Sequence, residues 1–333
     1  MYLSKKQNIF LIEFFLFLIY ISFILIGLKD FTIWSQITDH LTDDFISNNE
    51  RIIHLYEINH PHLLRVFILY LIYQFSLFFN FDITLVYNLF VIIILHTSYI
   101  LLKKVLIDFY SDSKYFILII LITLFFLSIF MNGRIVFAIF GNTLLLYAIY
   151  MKSYSLKNNI SNFSFFILIL ISILFTSVSS GTFMVSILTL LIFYFTIMII
   201  HFPILKIKYI YLQIYTFLVI ILLTPLIVKF IDKNLQFFNG SIIEMLGHGF
   251  GRYLEEYYIL FFILLFFMPF IGMILFVYLG KKIIYILPFS MILSSIIIGM
   301  FGVLSFFSGI SAFILLGYFL LKKERKFVKK NIS

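Results

Sequence analysis

Residues 182–200 read TFMVSILTLLIFYFTIMII. This stretch holds no charged residue, no proline and no glycine. An uncharged apolar run of about 18 residues or more has the length of a membrane-crossing helix. Apart from Tyr194, its polar groups are the hydroxyls of Thr182, Ser186, Thr189 and Thr196. Such hydroxyls can bond back to helix carbonyls one turn earlier, so they do not interrupt a span. The run recurs along the chain, with candidate spans at about 8–28, 63–80, 83–102, 115–132, 135–151, 162–179, 182–200, 209–229, 257–280, 283–301 and 303–321. With no water in the hydrocarbon core, each must satisfy its own backbone amides, which makes them helices. The alternation expected of a membrane β-barrel is missing.

Composition agrees. Apolar residues form 63% of the 333-residue chain and charged residues 12%. A soluble domain runs roughly 45–50% apolar and about 25% charged, so a single soluble enzyme domain is excluded. High apolar content excludes disorder, and the absence of cysteine excludes a disulfide scaffold, thiol catalysis and cysteine-ligated metals. The expected fold is all-α: one multi-pass transmembrane domain over residues 1–333, a bundle of about 10–12 helices. The first run, Ile9 to Leu28, lacks a small-residue cleavage site and reads as a retained helix rather than a signal peptide.

Two connecting segments are long. Segment 29–62 carries six of the 15 acids (Asp30, Asp39, Asp43, Asp44, Glu50, Glu57) and four of the seven histidines (His40, His54, His60, His62). Segment 230–256 contains Gly247-His248-Gly249-Phe250-Gly251-Arg252, a glycine-rich loop late in the chain. It does not have the spacing of a dinucleotide fingerprint, and no strand precedes it. It reads as a lid or as a plain flexible connector.

The net charge of +9 is not a nucleic-acid signature, because the basic residues sit in short connectors between apolar runs. There they set orientation. From residue 103 onward, alternate connectors hold 15 Lys and Arg against 4. The rich set includes Lys103, Lys104, Lys152 and the tail 322–333, and the poor set is Arg134, Lys229, Lys233 and Arg252. The rich set is expected in the cytoplasm, with the C-terminus, and the poor set outside, with the turn Ser179-Ser180-Gly181 and segment 230–256. Lys5 and Lys6 suggest an inner N-terminus. Three full spans before Lys103 would then put that basic connector outside. Either the N-terminus is outside, or one of 63–80 and 83–102, which are separated by Asn80-Phe81-Asp82, does not cross fully. The second option is preferred, and it places the acidic segment 29–62 outside.

Several residues are candidates for chemistry. Asp43 and Asp44, with Glu57, His60 and His62 in the same segment, can act as a general base or hold a divalent cation through oxygens; the plainer reading is a polar loop. Pro61 suits a helix start, with Arg65 just beyond. Arg134 opens an apolar run on the face poor in basic residues. Guanidinium matches phosphate bidentately, and the plainer reading is contact with lipid headgroups. Ser179-Ser180-Gly181-Thr182 is a small polar turn that suits close helix packing, or an anion at a helix start. His96, His201 and Glu13, in or at the ends of spans, read as helix contacts rather than proton relays.

An acidic loop with Asp43 and Asp44, a lone Arg in Asn132-Gly133-Arg134-Ile135-Val136-Phe137-Ala138, a basic connector and the Ser179–Thr182 turn follow one another in this order. That order resembles the EpsG-type and Wzy-like polysaccharide (O-antigen) polymerases, over roughly residues 30–190. Members often have a His before the Ser of the later turn, where Thr176-Ser177-Val178 stand here. The resemblance implies a bacterial inner-membrane enzyme that joins undecaprenyl-diphosphate-linked repeat units at the outer face, among partner proteins of envelope assembly and membrane lipid, with no cofactor and no metal. It implies that Arg134 and Arg252 bind the diphosphate and that Asp43, Asp44 or His248 is the base, with His60, Arg65 and Ser180 as further substrate contacts. A second resemblance runs from Asp43-Asp44 to Asn59-His60-Pro61-His62-Leu63-Leu64-Arg65. It is similar to the first-loop acid and HPPL motif of GT-C type transferases that use a polyprenyl-phosphate sugar. Under that alternative a divalent cation would sit at Asp43 and Asp44. A non-enzymatic flippase or transporter of the same pathway is the third reading.

Overall fold

The computed structural model describes residues 63–109, 133–153, 160–201, 285–299 and 303–319 in continuous runs. It adds scattered positions within 11–18, 53–57, 120–122 and 214–244. Among the described residues there is helix and turn and no strand. The helices are α1 (Leu63–Phe79), α2 (Ile83–Phe109), α3 (Gly133–Ser153), α4 (Asn162–Thr176), α5 (Ser180–His201), α6 (Ile286–Gly299), α7 (Val303–Phe307) and α8 (310–319). Three contain windows long and apolar enough to cross a membrane: Leu85–Leu106, Ile135–Lys152 and Ser180–Ile197. The expected spans at 8–28, 115–132, 209–229 and 257–280 lie wholly or mostly outside the described residues.

The chain forms two compact units, Met1–Phe140 and Gly141–Ser333, divided within α3. In the first, α1 and α2 pack as a pair. Helix α1 ends because Asn80 turns left-handed, at φ 52°. Phe81 N–H then bonds Ser76 O at 3.0 Å and Asn80 N–H bonds Leu77 O at 3.2 Å. This is the paired arrangement of a left-handed helix cap, and it satisfies carbonyls the last turn would leave bare. Asp82 starts α2: its carboxylate accepts Leu85 N–H at 2.9 Å. Helix α2 buries one stripe (Val91, Ile92, Leu95, Tyr99, Leu102, Leu106) and exposes Leu89, Ile93 and Ile100. On a helix that crosses a membrane, outward apolar residues of this kind face lipid.

In the second unit, α5 packs on α4, α6 and α7, and α6 packs on α7. Helix α4 begins at Ser161, whose hydroxyl accepts Ser164 N–H at 3.1 Å. Glycines set how closely the helices approach. A Cβ on Gly141 would lie 2.6 Å from Thr176 Cγ2 and 2.7 Å from the Ser172 carbonyl oxygen. A Cβ on Gly181 would meet Ser305, and one on Gly309 would meet Ser295. Small residues at helix contacts are the usual device for close packing in lipid, where no hydrophobic force draws helices together. At one end of this unit Tyr150 of α3 and Tyr285, just before α6, both pack on Phe319 of α8. At the same end Lys152 Nζ donates to Ile160 O at 2.9 Å, tying the end of α3 to the start of α4.

The expected single span 303–321 is interrupted at Ser308-Gly309. The Ser308 hydroxyl donates to Ser305 O at 2.6 Å, and α8 restarts with Ala312 N–H on Gly309 O. The expected span 162–179 ends earlier as helix, at Thr176, where Ser177 is the C-cap with its N–H on Ile173 O at 2.9 Å.

Candidate functional site

Of the residues expected to carry chemistry, Asp43, Asp44, His60, His248 and Arg252 lie outside the described residues. The backbone places Arg65 and Arg134. Arg65 is in the first turn of α1, and Arg134 is the second residue of α3. Arg134 therefore belongs to the helix rather than to the turn before it. Helix α3 has no acid in its first turn and has Lys152 in its last. Its apolar window is 83% buried, against 61% for α2 and 50% for α5, so α3 is the most enclosed of the three long helices.

Ser180 is described in full. It is the first residue of α5, half-buried, next to Gly181 packed on α7. The Thr182 hydroxyl, which a helix-start anion site would use, is buried and directed at the carbonyls of Thr176 (2.6 Å) and Ser179 (3.0 Å). The turn Ser179–Thr182 is thus a packed, self-satisfied joint between α4 and α5.

What sequence reasoning passed over is the polar interior of the second unit, centred on Asn142. Its Nδ2 donates to Ser308 O at 2.9 Å, and its Oδ1 accepts the Ser186 hydroxyl at 2.9 Å. One side chain therefore joins α3, α5 and the break between α7 and α8. Beside it Thr143 and Ser311 share a hydroxyl–hydroxyl bond of 2.6 Å, and the Ser172 hydroxyl donates to Gly141 O at 2.7 Å. Asn142, Thr143, Ser172, Ser308 and Ser311 are fully buried. The signal was present as Gly141-Asn142-Thr143, three consecutive small or polar residues within an otherwise apolar run.

These groups are neutral hydroxyls, amides and carbonyls. They cannot supply a general base near pH 7, since none titrates there. Their bonds run to one another, so the knot joins helices rather than waiting for substrate. The Ser295 hydroxyl has no hydrogen-bond partner, but it fills the space in which a side chain at Gly309 would stand. That makes it a packing contact.

No family model, curated protein or solved structure matches the chain.

In the first unit His96 of α2 is half-buried between the rings of Phe17 (5.7 Å between centroids) and Tyr99 (5.9 Å). Lys103 Nζ lies 5.5 Å from the Tyr99 ring centre, a cation–π contact at the end of the apolar window. Among the described residues there is no group of three His, Cys, Asp or Glu that could hold a metal. Two groups of polar side chains stand out among the described residues. Neutral ones are buried and mutually bonded in the interior of the second unit. Cationic ones, such as Arg134 and Lys152, stand at helix ends.

Proposed function

We propose that this chain is a polysaccharide polymerase of a bacterial inner membrane. In this reading it transfers a growing glycan from one polyprenyl diphosphate to the sugar hydroxyl of a second lipid-linked repeat unit. The observation that supports it is the place of Arg134. It stands in the first turn of the most enclosed of the three long helices, and the charge distribution leads us to expect it on the face poor in basic residues. A helix N-terminus carries about half a positive charge and free N–H groups, and guanidinium adds a planar donor fork. Together they suit a diphosphate leaving group, whose charge grows as the glycosidic bond breaks. Arg252 supplies a second cation in this reading. The base that takes the acceptor proton is Asp43, Asp44 or His248.

The test is Arg134→Ala, with the amount of protein in the membrane measured beside the product. A hydrogen bond to a charged group is worth roughly 1.5–3 kcal/mol, which is about a tenfold to a hundredfold loss of transfer. The glycan ladder should collapse to single repeat units, while Arg134→Lys keeps part of the activity. Loss of one sugar from each unit, with polymerisation intact, would point to the single-sugar transferase reading. An unchanged ladder at unchanged protein level would remove the enzymatic reading.

A further inference from the structure

We infer that α1 and α2 form a membrane-spanning hairpin. Its tip, Asn80-Phe81-Asp82, stands at the outer interface, and its open end, with Arg65, stands at the inner one. Three observations in the first unit carry this. The connection between the helices is three residues long and both sides are capped by their own chain. The two helices also contact one another, as antiparallel neighbours joined by a short loop do. Helix α1 also exposes a continuous stripe, Phe67, Leu71, Phe75 and Phe78, at 42%, 51%, 50% and 82%, and buries Ile72 and Ser76 on the opposite side. A stripe of this kind along the whole helix is a surface for lipid acyl chains.

The third observation is length. From Asp82 to Lys103 is 21 positions without an intervening Asp, Glu, Lys or Arg. At 1.5 Å per residue that is about 32 Å, the thickness of the hydrocarbon core at roughly 30 Å. Asp82 is exposed and sits just beyond the exposed aromatics Phe78 and Phe79, with Phe81 stacked on Phe79. A carboxylate there belongs in the headgroups, with the rings beneath it. Lys103 and Lys104 then mark the inner face by the distribution of basic residues.

The same arithmetic locates the start of α1. Running back along α2 from Phe79 opposite Ile83, the chain brings Arg65 level with about Thr97, roughly 9 Å short of Lys103. The start of α1 therefore lies in the inner third of the hairpin. The segment that leads into Leu63, with Asp43, Asp44 and His60, then enters from the inner side. Its acids do not oppose this, because orientation follows Lys and Arg and is almost indifferent to Asp and Glu. With the expected span 8–28 crossing, this arrangement has the N-terminus outside, the alternative that the charge pattern left open. The inference stands whether or not the chain polymerises glycans; if it does, Asp43 and Asp44 are on the wrong face and the base falls to His248.

The chain has no cysteine, so single-cysteine variants of the full-length protein read sidedness directly. Phe81→Cys, Ser47→Cys and Lys104→Cys are treated with a membrane-impermeant maleimide in intact cells and after permeabilisation. The expected result is full labelling of Phe81→Cys in intact cells, and labelling of the other two after permeabilisation alone. Ser47→Cys labelled in intact cells together with Phe81→Cys would overturn the inference, since α1 would then lie along the outer surface without crossing. Phe81→Cys labelled after permeabilisation alone, or never, overturns it as well. If Phe81→Cys does not reach the membrane, Phe79→Cys reads the same tip. No glycan enters the readout, so failure here is distinct from failure of the Arg134 test.

Discussion

Asn142 is the residue on which most of the second unit's polar interior turns. Replacing it with Leu removes two hydrogen bonds and leaves the Ser186 hydroxyl and the Ser308 carbonyl without this partner. Buried bonds between membrane helices are modest, about 0.6 kcal/mol on average and up to about 1.7 kcal/mol, because the unfolded chain in lipid finds other partners. Asn142→Leu is therefore expected to lower the stability of the purified protein by about 1–2 kcal/mol, read by unfolding in mixed detergent. Ser295→Ala is the control. It removes a buried hydroxyl without a hydrogen-bond partner, so no bond is lost and its unfolding curve should not shift towards lower stability. Gly141→Ala should do more harm than either in proportion to the atoms changed, since the methyl meets the Ser172 backbone as well as the Thr176 side chain. Overpacking of this kind typically costs about 1–3 kcal/mol.

The joints between helices show what a hydropathy pattern can and cannot reveal. Asn80-Phe81-Asp82 was legible as a break because Asn and Asp are both turn formers and both helix-end residues. The structure uses each in that role, Asn80 in the left-handed cap and Asp82 on Leu85 N–H. Two changes test this joint by the same unfolding measurement. Asn80→Gly should be neutral or stabilising, because glycine adopts the left-handed region freely, whereas Asn80→Val should be destabilising. Asp82→Ala should lose about 1 kcal/mol, the usual value of an N-cap. The break at Ser308-Gly309 was not legible. Serine and glycine are ordinary inside membrane helices, and nothing local marks this pair. The contacts made there are distant in sequence: Asn142 donates to the Ser308 carbonyl, and Ser295 packs against Gly309. The polar knot was missed for the same reason, since Asn142, Ser186 and Ser308 are far apart in sequence and meet through packing.

For the whole molecule, the fold class followed from composition, because so apolar a chain has one solvent in which its helices can stand. The site did not follow in the same way. The charged candidates fall at helix ends and in connecting segments, where hydrophobic periodicity carries no information and order along the chain is the guide. What composition does carry at this scale is orientation. The 15-to-4 distribution of basic residues after Lys103 predicts a cytoplasmic C-terminus, and the tail 322–333 contributes Lys322, Lys323, Arg325, Lys326, Lys329 and Lys330 to the larger number. At one end of the second unit the helices are tied together by buried groups. Lys152 is anchored to Ile160 O beside the buried Tyr150, Tyr285 and Phe319 rings. A fluorescent protein fused after Ser333 should therefore mature and fluoresce, since it folds in the cytoplasm. A periplasmic phosphatase fused at the same point should be inactive. The reverse pair of results would put the basic tail outside. Every assignment of Arg134 to the outer face would then invert with it, because seven expected spans, an odd number, separate the two.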